Sequence, residues 1–239
     1  MKCIILCAGY ATRLYPLTLN KPKALLPMNK IPLLEHILDR IKNIEEIDEI
    51  FIITNDKFYY PFVWWLETLK MEIKEKIEII NDGTNNNESR LGGVGDLNLV
   101  INSKGINDDI LVILGDNYFN SNLNDFVNFY KTFKDTTLGV FLVDKEQARN
   151  LGVVSLDENK IASFEEKPEN PKSNLISTGI YIFVKDDLKD FCEYMKTDLN
   201  KEGPGYLIKY LLNKKSVYAY KFEGWWFDIG SIEEYEKLK

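Results

Sequence analysis

The first fourteen residues constrain the fold most, because they join an apolar run to a loop of small residues. The run Cys-Ile-Ile-Leu-Cys at residues 3–7 is bounded by turn residues, which is the pattern of a buried strand. The loop after it, Ala-Gly-Tyr-Ala-Thr at residues 8–12, offers backbone amides where bulky side chains would keep a ligand away. Arg13 and Lys23 bracket the loop. The stretch predicts a polyanion site built from backbone amides and two cations.

Apolar strand patterns alternate with helical patterns over residues 1–145, and short strands predominate over residues 146–239. Alternation of this kind is typical of βαβ units in an α/β protein with a mainly parallel central sheet, whose ligands lie at the carboxyl ends of the strands. We predict one domain over residues 1–239 with a smaller β-rich second half. The predicted strands after the first lie at residues 49–54, 77–80, 109–114, 137–143, 152–155, 160–164, 177–183 and 217–220.

Composition excludes several classes of function. The net charge is −7 with no basic block, which argues against nucleic acid as a partner and requires an anionic ligand to be held by local cations. No apolar run approaches the length of a membrane helix, and the chain begins directly with a strand rather than a signal peptide. Cys3, Cys7 and Cys192 have no metal-binding spacing, and we expect Cys3 and Cys7 to be core thiols in a cytoplasmic protein. The oligomeric state is left open, a homo-oligomer included.

The amino-terminal loop matches neither common phosphate-loop motif. It resembles the signature A-G-x-G-T-R-L-x-P-x-T, then P-K, of the sugar-phosphate nucleotidyltransferases, which here occupies residues 8–18 and 22–23. Ala11 stands where glycine is usual, and alanine suffices there unless the backbone needs a positive φ. The resemblance implies a Rossmann-like three-layer fold, in the short form without a carboxyl-terminal left-handed β-helix. It implies Arg13 and Lys23 as catalytic residues, and contacts with a nucleoside triphosphate from Leu6, Ala8, Gly9, Tyr10, Ala11 and Thr12.

Three further stretches extend the resemblance over the first half and the carboxyl-terminal end. Leu91–Leu97 is similar to the family's L-G-T-A-G-A-L, whose first glycine, here Gly92, contacts the nucleobase. Asp116 ends a buried strand within Gly-Asp-Asn, where the family has one Mg²⁺ ligand, and Asn117 would lie in the substrate site. Asp228 lies in a motif similar to W-x-D-x-G-[ST], which supplies the second Mg²⁺ ligand. A carboxylate buried among aromatic residues also needs a partner on physical grounds.

The second half, residues 146–239, resembles the family's sugar-binding portion through G-V-V, E-K-P and T-G-x-Y stretches. By that match Glu166 would bind sugar hydroxyls and Lys167 the sugar phosphate. Gly152 and Gly179 would keep the sugar pocket open, and Thr178 would lie in the same pocket. The first half, residues 1–145, would then bind the nucleotide.

The resemblance implies an enzyme of the 2.7.7 class that joins a nucleoside triphosphate and a sugar 1-phosphate into a nucleoside diphosphate sugar and pyrophosphate. Mg²⁺ would assist an in-line attack on the α-phosphate. One alternative is a cytidylyltransferase acting on phosphocholine or another small phosphorylated alcohol. Another is a glycosyltransferase using nucleoside diphosphate sugars, which usually shows D-x-D, absent at residues 116–118. A non-catalytic relative is disfavoured because five charged positions of the motifs are present: Arg13, Lys23, Asp116, Lys167 and Asp228.

Overall fold

A nine-stranded sheet runs through the protein, whose computed structural model describes residues 1–239. The strands are β1 (Lys2–Leu6), β2 (Pro27–Met28), β3 (Ile31–Pro32), β4 (Glu49–Thr54), β5 (Ile77–Asn81), β6 (Ile110–Leu114), β7 (Asn117–Phe119), β8 (Thr137–Leu142), β9 (Gly152–Asp157), β10 (Lys160–Glu166), β11 (Leu175–Phe183), β12 (Tyr218–Lys221) and β13 (Trp226–Asp228). The helices are α1 (Leu33–Ile41), α2 (Tyr59–Glu67), α3 (Met71–Lys74), α4 (Gly92–Lys104), α5 (Leu123–Phe133), α6 (Lys145–Ala148), α7 (Leu188–Met195), α8 (Pro204–Leu212) and α9 (Ile232–Leu238). The order in the large sheet is β5-β4-β1-β6-β11-β8-β12-β10-β9.

The first four strands of that order, β5, β4, β1 and β6, are all parallel. Leu6 at the end of β1 is in register with Ile53 of β4 and Leu114 of β6. The carboxyl ends of these strands therefore meet at one edge, and the loops leaving them are close in space. This edge is where open α/β sheets bind ligands.

The remaining strands make the sheet mixed. β11 runs antiparallel to β6 and β8, and β10 runs antiparallel to β9 and β12, whereas β12 is parallel to β8. The predicted α/β class is confirmed, and the expectation of parallel pairing holds for β5, β4, β1 and β6. Antiparallel pairing enters with β9, β10 and β11 of the β-rich second half, and the short turn between β9 and β10 replaces the helical crossover that parallel strands need.

Two hydrophobic clusters cover the two faces of the sheet, because successive strand residues point to opposite sides. Cys3 and Ile5 lie in one cluster with residues of α1, α2 and α5, and Ile4 and Leu6 lie in the other with residues of α4, α7 and α8. This gives the expected three layers. Cys3 and Cys7 are buried free thiols, as predicted. No helix combines the length and apolar character that crossing a membrane would require.

A third, smaller cluster brings the carboxyl-terminal end of the chain back to the amino-terminal loop. Leu14, Tyr118, Ile229 and Tyr235 are among its seven buried residues. β13 pairs with β7 so that Asp228 lies opposite Asn117. This pairing sets Asp228 beside Asp116, although the two are separated by more than a hundred positions in sequence.

Candidate active site

The loop after β1 offers a run of unused backbone donors. The amide N–H groups of residues 9–13 donate no hydrogen bond within the protein. Backbone N–H groups are strong donors that are nearly always paired, so consecutive free amides in a concave loop are suited to an anion. Arg13 lies exposed at the end of this loop and forms no ion pair. The geometry agrees with the predicted anion site.

Ala11 adopts the left-handed conformation, with φ 47° and ψ 42°. A positive φ is the condition under which alanine is a poor replacement for glycine, and Ala11 meets that condition. Such a conformation costs a non-glycine residue about 1–2 kcal/mol. The buried Thr18 hydroxyl donates to the carbonyl of Ala11 over 2.7 Å and helps to hold the strained residue in place.

Lys23 lies between the two aspartates predicted as metal ligands. Its Nζ is 2.9 Å from Oδ2 of Asp116 and 3.6 Å from Oδ1 of Asp228. The Lys23 side chain is only 14% exposed. Burial acts to lower the pKa of Lys23, but the Asp116 and Asp228 carboxylates outweigh it and the pKa is raised. In this structure Lys23 thus neutralises the two acids rather than standing free for phosphate.

The donor set at this point fits a magnesium ion. Asp228 has a buried Oδ1 with no hydrogen-bond partner, and burial together with the Asp116 carboxylate raises its pKa. Mg²⁺ is commonly bound by one or two carboxylates, with substrate phosphates and water as the other ligands. No group of three or more His, Cys, Asp or Glu side chains is arranged to hold a metal, so phosphate oxygens would have to complete the shell.

Two adjoining cavities share this charged centre. The loop cavity, of about 500 Å³, is bounded by the loop after β1 and the start of α4, and the strand cavity, of about 780 Å³, by β9, β10, β11 and α9. Arg13, Asp116 and Asp228 line both. The other predicted residues of the loop cavity are Leu6, Ala8, Gly9, Tyr10, Ala11, Thr12, Lys23 and Gly92, and those of the strand cavity are Asn117, Gly152, Glu166, Lys167, Thr178 and Gly179. Every predicted site residue therefore lies on one cavity or the other.

Close packing around Glu166 explains the glycine at position 152 of the strand cavity. A Cβ at Gly152 would lie 2.6 Å from Cζ of Phe164 and 3.2 Å from Oε2 of Glu166. Burial raises the pKa of Glu166, and the neighbouring Lys167 opposes that shift. Lys167 itself is exposed and left-handed, with φ 45°. At this point the cavity sets a half-buried acceptor beside an exposed cation, which suits a ligand carrying hydroxyls and an anionic group.

Gly92 has a structural reason to be glycine besides a contact with a base. Its φ is +76°, and a Cβ there would collide with the backbone carbonyl of Lys201. The amides of Gly93 and Val94 donate to the carbonyls of Glu202 and Lys201, at 2.9 and 3.0 Å. The amides of Gly93 and Val94 are therefore occupied by the protein, and a larger residue at Gly92 would disrupt this junction whatever the base.

Three predicted substrate contacts have their polar side-chain groups engaged within the protein. The Asn117 amide donates to the Thr178 carbonyl over 2.6 Å, and the Thr178 hydroxyl donates to the Gly139 carbonyl over 2.8 Å. The Tyr10 hydroxyl is 3.1 Å from Oγ1 of Thr84. These residues shape the cavities, while their side-chain polar groups hold neighbouring segments together. His36 is likewise structural, with Nε2 2.9 Å from the Met28 carbonyl.

Sequence reasoning missed several contributors to the site, among them the start of α8 and one residue of α4. Gly203, just ahead of α8, and Pro204, its first residue, line both cavities. Asp96 on α4 lines the loop cavity. Asp96 stands where the similar L-G-T-A-G-A-L motif has its second alanine, and this departure from the motif is visible in the sequence. Residues 203–204 belong to no motif that would have indicated a place in the site.

Fold and site together define an α/β protein of the nucleotidyltransferase type. The family model for nucleotidyl transferases matches residues 2–239, and the chain belongs to this family. It is 35% identical to the bifunctional protein GlmU of Methanocaldococcus jannaschii, over 96% of this chain and 51% of that protein. It is 30% identical to a protein of Sulfolobus acidocaldarius described as a mannose-1-phosphate guanyltransferase, over 100% of this chain and 62% of that protein.

A solved structure of similar fold is a Bacillus anthracis protein described as a glucose-1-phosphate thymidylyltransferase, in complex with sucrose. The TM-score is 0.84 at 28% sequence identity, over 100% of this chain and 93% of that chain. The present chain thus spans about half to two thirds of the two sequence relatives and nearly all of this structural one. The family membership and the fold predicted from the resemblance are confirmed.

Proposed function

We propose that the protein transfers a nucleotidyl group from a nucleoside triphosphate to a sugar 1-phosphate, releasing pyrophosphate. One observation carries the proposal: Lys23, Asp116 and Asp228 converge where the loop cavity meets the strand cavity. Two exposed cations also line the cavities: Arg13 borders both of them, and Lys167 lies on the strand cavity alone. The similar proteins named for guanylyl or thymidylyl transfer to sugar phosphates support the same reaction class.

The reaction needs positioning and charge neutralisation more than proton transfer. A phosphate oxygen of the acceptor attacks the α-phosphorus in line, a new P–O bond forms, and the bond to the β-phosphate oxygen breaks as pyrophosphate leaves. The attacking oxygen is already anionic, so no residue has to remove a proton. The free amides of residues 9–13 and Arg13 hold the triphosphate, while Lys167 holds the acceptor phosphate and Glu166 accepts from sugar hydroxyls.

Asp116 and Asp228 would hold Mg²⁺ together with phosphate oxygens and water. When bound, the ion supplies neutralisation of the charge that builds up on the α-phosphate. Lys23, which lies between the two carboxylates, remains close to the same phosphates and contributes further positive charge. Preorganised groups of this kind are usually the largest single contribution to catalysis.

The experiment is a pyrophosphate-release screen of ATP, GTP, CTP, UTP and dTTP against sugar 1-phosphates and small phosphorylated alcohols, with Mg²⁺ present. We expect release only when a triphosphate and a sugar 1-phosphate are both present, with the nucleoside diphosphate sugar detected by mass spectrometry. Release with phosphocholine and not with sugar phosphates would replace the sugar by a small alcohol. Consumption of a nucleoside diphosphate sugar without pyrophosphate would instead indicate a glycosyltransferase.

A further inference from the structure

The helix α2 carries large apolar side chains on both of its sides. On the inner side, Phe62 and Trp65 are buried in one of the two clusters that cover the sheet. On the outer side, Tyr60 is 63% exposed and Trp64 is 67% exposed. A helix that is apolar all round is normally covered on every side, but here the protein itself covers only one. The outer side of α2 is therefore a surface that lacks a partner.

Tyr60 and Trp64 form one continuous aromatic surface. They are four residues apart, so they lie on adjacent turns of the same helix face. Their ring centroids are 6.2 Å apart, and the ring of Tyr59 packs edge-on against Tyr60 at 5.5 Å. Single exposed apolar residues are ordinary, whereas adjoining Tyr and Trp rings are typical of the residues that carry binding energy between proteins. The pair points to a protein–protein contact.

Opposite charges flank the aromatic pair. Lys57 lies in the turn that leads into α2, and Glu67 is the last residue of the helix. Positions 57, 60, 64 and 67 are spaced by three, four and three residues, so all four lie on one face. Lys57 is exposed and forms no ion pair, its Nζ lying 4.9 Å from the centre of the Phe58 ring. Glu67 pairs with Lys74 through Oε2, and its Oε1 is free to accept a second cation.

These four side chains are arranged symmetrically about position 62. Lys57 and Glu67 lie five positions on either side of it, and Tyr60 and Trp64 lie two positions on either side. A two-fold contact brings the same patch of two copies together, so each residue faces its counterpart across the axis. If two antiparallel α2 helices meet at position 62, Tyr60 of each copy faces Trp64 of the other. Lys57 of each copy then faces Glu67 of the other.

We propose that the outer face of α2 binds a second copy of this chain, forming a two-fold dimer with antiparallel α2 helices. The face is self-complementary, since it pairs aromatic with aromatic and cation with anion. An apolar peptide or a lipid surface would give no reason for this symmetry. The net charge of −7 also disfavours an anionic membrane. The inference is independent of the proposed reaction, because α2 lines neither the loop cavity nor the strand cavity.

The size of the face sets the strength of the expected dimer. α2 has nine residues and is therefore about 14 Å long, and Tyr and Trp side chains bury about 150–250 Å² each. A contact centred on these residues lies at the small end of specific interfaces, below about 1,200 Å² in total, where association is weak. We expect a dissociation constant roughly in the micromolar range. Sedimentation equilibrium over protein concentrations from about 1 to 500 μM covers that range.

The aromatic contact is tested with Trp64→Ala. The substitution removes the tryptophan from both halves of the contact, so the dissociation constant should rise about a hundredfold. Because Trp64 is mostly exposed, circular dichroism and Tm should show an intact fold. Leu199→Ala is the matched control. It shortens an apolar side chain that is 49% exposed between α7 and α8, and it should leave the dissociation constant unchanged.

The charge contacts are tested with Lys57→Glu and Glu67→Lys. Each substitution alone sets like charges against each other at both contacts, so each should weaken the dimer roughly tenfold at low ionic strength. Mixing the two variants should restore dimerisation, because the mixed dimer has opposite charges at both contacts. The double variant Lys57→Glu/Glu67→Lys should dimerise for the same reason. Lys189→Glu, an exposed position on α7 at the opposite face of the sheet, is the control and should change nothing.

The proposal is overturned if the wild-type protein stays monomeric over the whole concentration range. A dimer that Trp64→Ala leaves unchanged also overturns it, since that dimer forms through another face. So do charge variants that lose dimerisation and do not regain it on mixing. Sedimentation of a monomeric wild-type protein with phosphatidylcholine–phosphatidylglycerol vesicles, lost in Trp64→Ala, would assign the face to a membrane instead of a second copy.

Discussion

The loop cavity and the strand cavity meet at one charged centre, but they are constructed differently. The loop cavity takes much of its wall from consecutive residues 8–14, whose amides are free over residues 9–13. The strand cavity is assembled from β6, β9, β10, β11 and α9, with side chains such as Glu166 and Lys167 set by packing. Backbone recognition suits a triphosphate, which every nucleotide shares, whereas side chains at separate positions suit an acceptor that differs between relatives.

The two cavities also differ in how the protein backbone is constrained, by a strained conformation in one and by close packing in the other. The loop cavity holds an alanine in the left-handed conformation at Ala11. The strand cavity uses glycines where a methyl group would press on Phe164 and Glu166. The left-handed conformation of Ala11 raises the conformational energy of the backbone. The glycines of the strand cavity instead control the volume available to the ligand.

The largest expected effect comes from the centre that the two cavities share. Asp116→Asn and Asp228→Asn should each lower kcat by about a hundredfold or more, the scale of losing a key electrostatic group. The kcat of each variant is measured as the rate of pyrophosphate release at saturating substrates and Mg²⁺. Asp186→Asn, at an exposed position away from both cavities, is the control and should keep full activity. Near-normal turnover in either site variant would show that the two aspartates are not the shared centre.

Substitutions with intermediate effects should show that the two cavities bind different substrates. Lys167→Ala should raise KM for the acceptor roughly tenfold to hundredfold, the value of one charge-assisted hydrogen bond, and leave triphosphate affinity nearly unchanged. Lys23→Ala should instead weaken triphosphate binding, because it removes one cation of the loop cavity and leaves two carboxylates uncompensated. Calorimetry with the triphosphate and steady-state kinetics with the acceptor measure the two effects.

Lys172→Ala provides the baseline for this pair, since Lys172 is 79% exposed and its one ion pair is with Glu165. Lys172→Ala should change neither the triphosphate affinity nor the KM for the acceptor. Equal losses of triphosphate affinity in Lys167→Ala and Lys23→Ala would mean that the two cavities do not bind separate substrates.

The smallest effect concerns the strain in the loop. Ala11→Gly removes a cost of about 1–2 kcal/mol for the left-handed conformation and adds about 0.5–1 kcal/mol of glycine entropy. The net gain of up to about 1.5 kcal/mol should raise Tm by up to about 3–6 °C. Ala162→Gly in β10, where φ is not positive, should lower Tm instead. A lower Tm for Ala11→Gly would show that the loop does not store this strain.

The sequence by itself determined the local features of this protein. The strand β1, the small-residue loop, the alternation of strands and helices and the identities of Arg13, Lys167 and Asp116 could all be predicted. They could because hydrophobic periodicity, turn residues and short motifs act between residues close in the chain. The full set of predicted site residues lines the two cavities.

Only the tertiary structure decided how distant segments combine. The pairing of β13 with β7 sets Asp228 beside Asp116, and burial in that setting gives Lys23 two carboxylate partners. Packing of residues 201–202 against α4 occupies the amides of Gly93 and Val94 and helps to enclose Asp96. The positive φ of Ala11 likewise depends on the buried Thr18. These features arise from contacts between residues far apart in the chain. The free energies of such contacts depend on burial and strand register, and no local pattern in the sequence encodes burial or register.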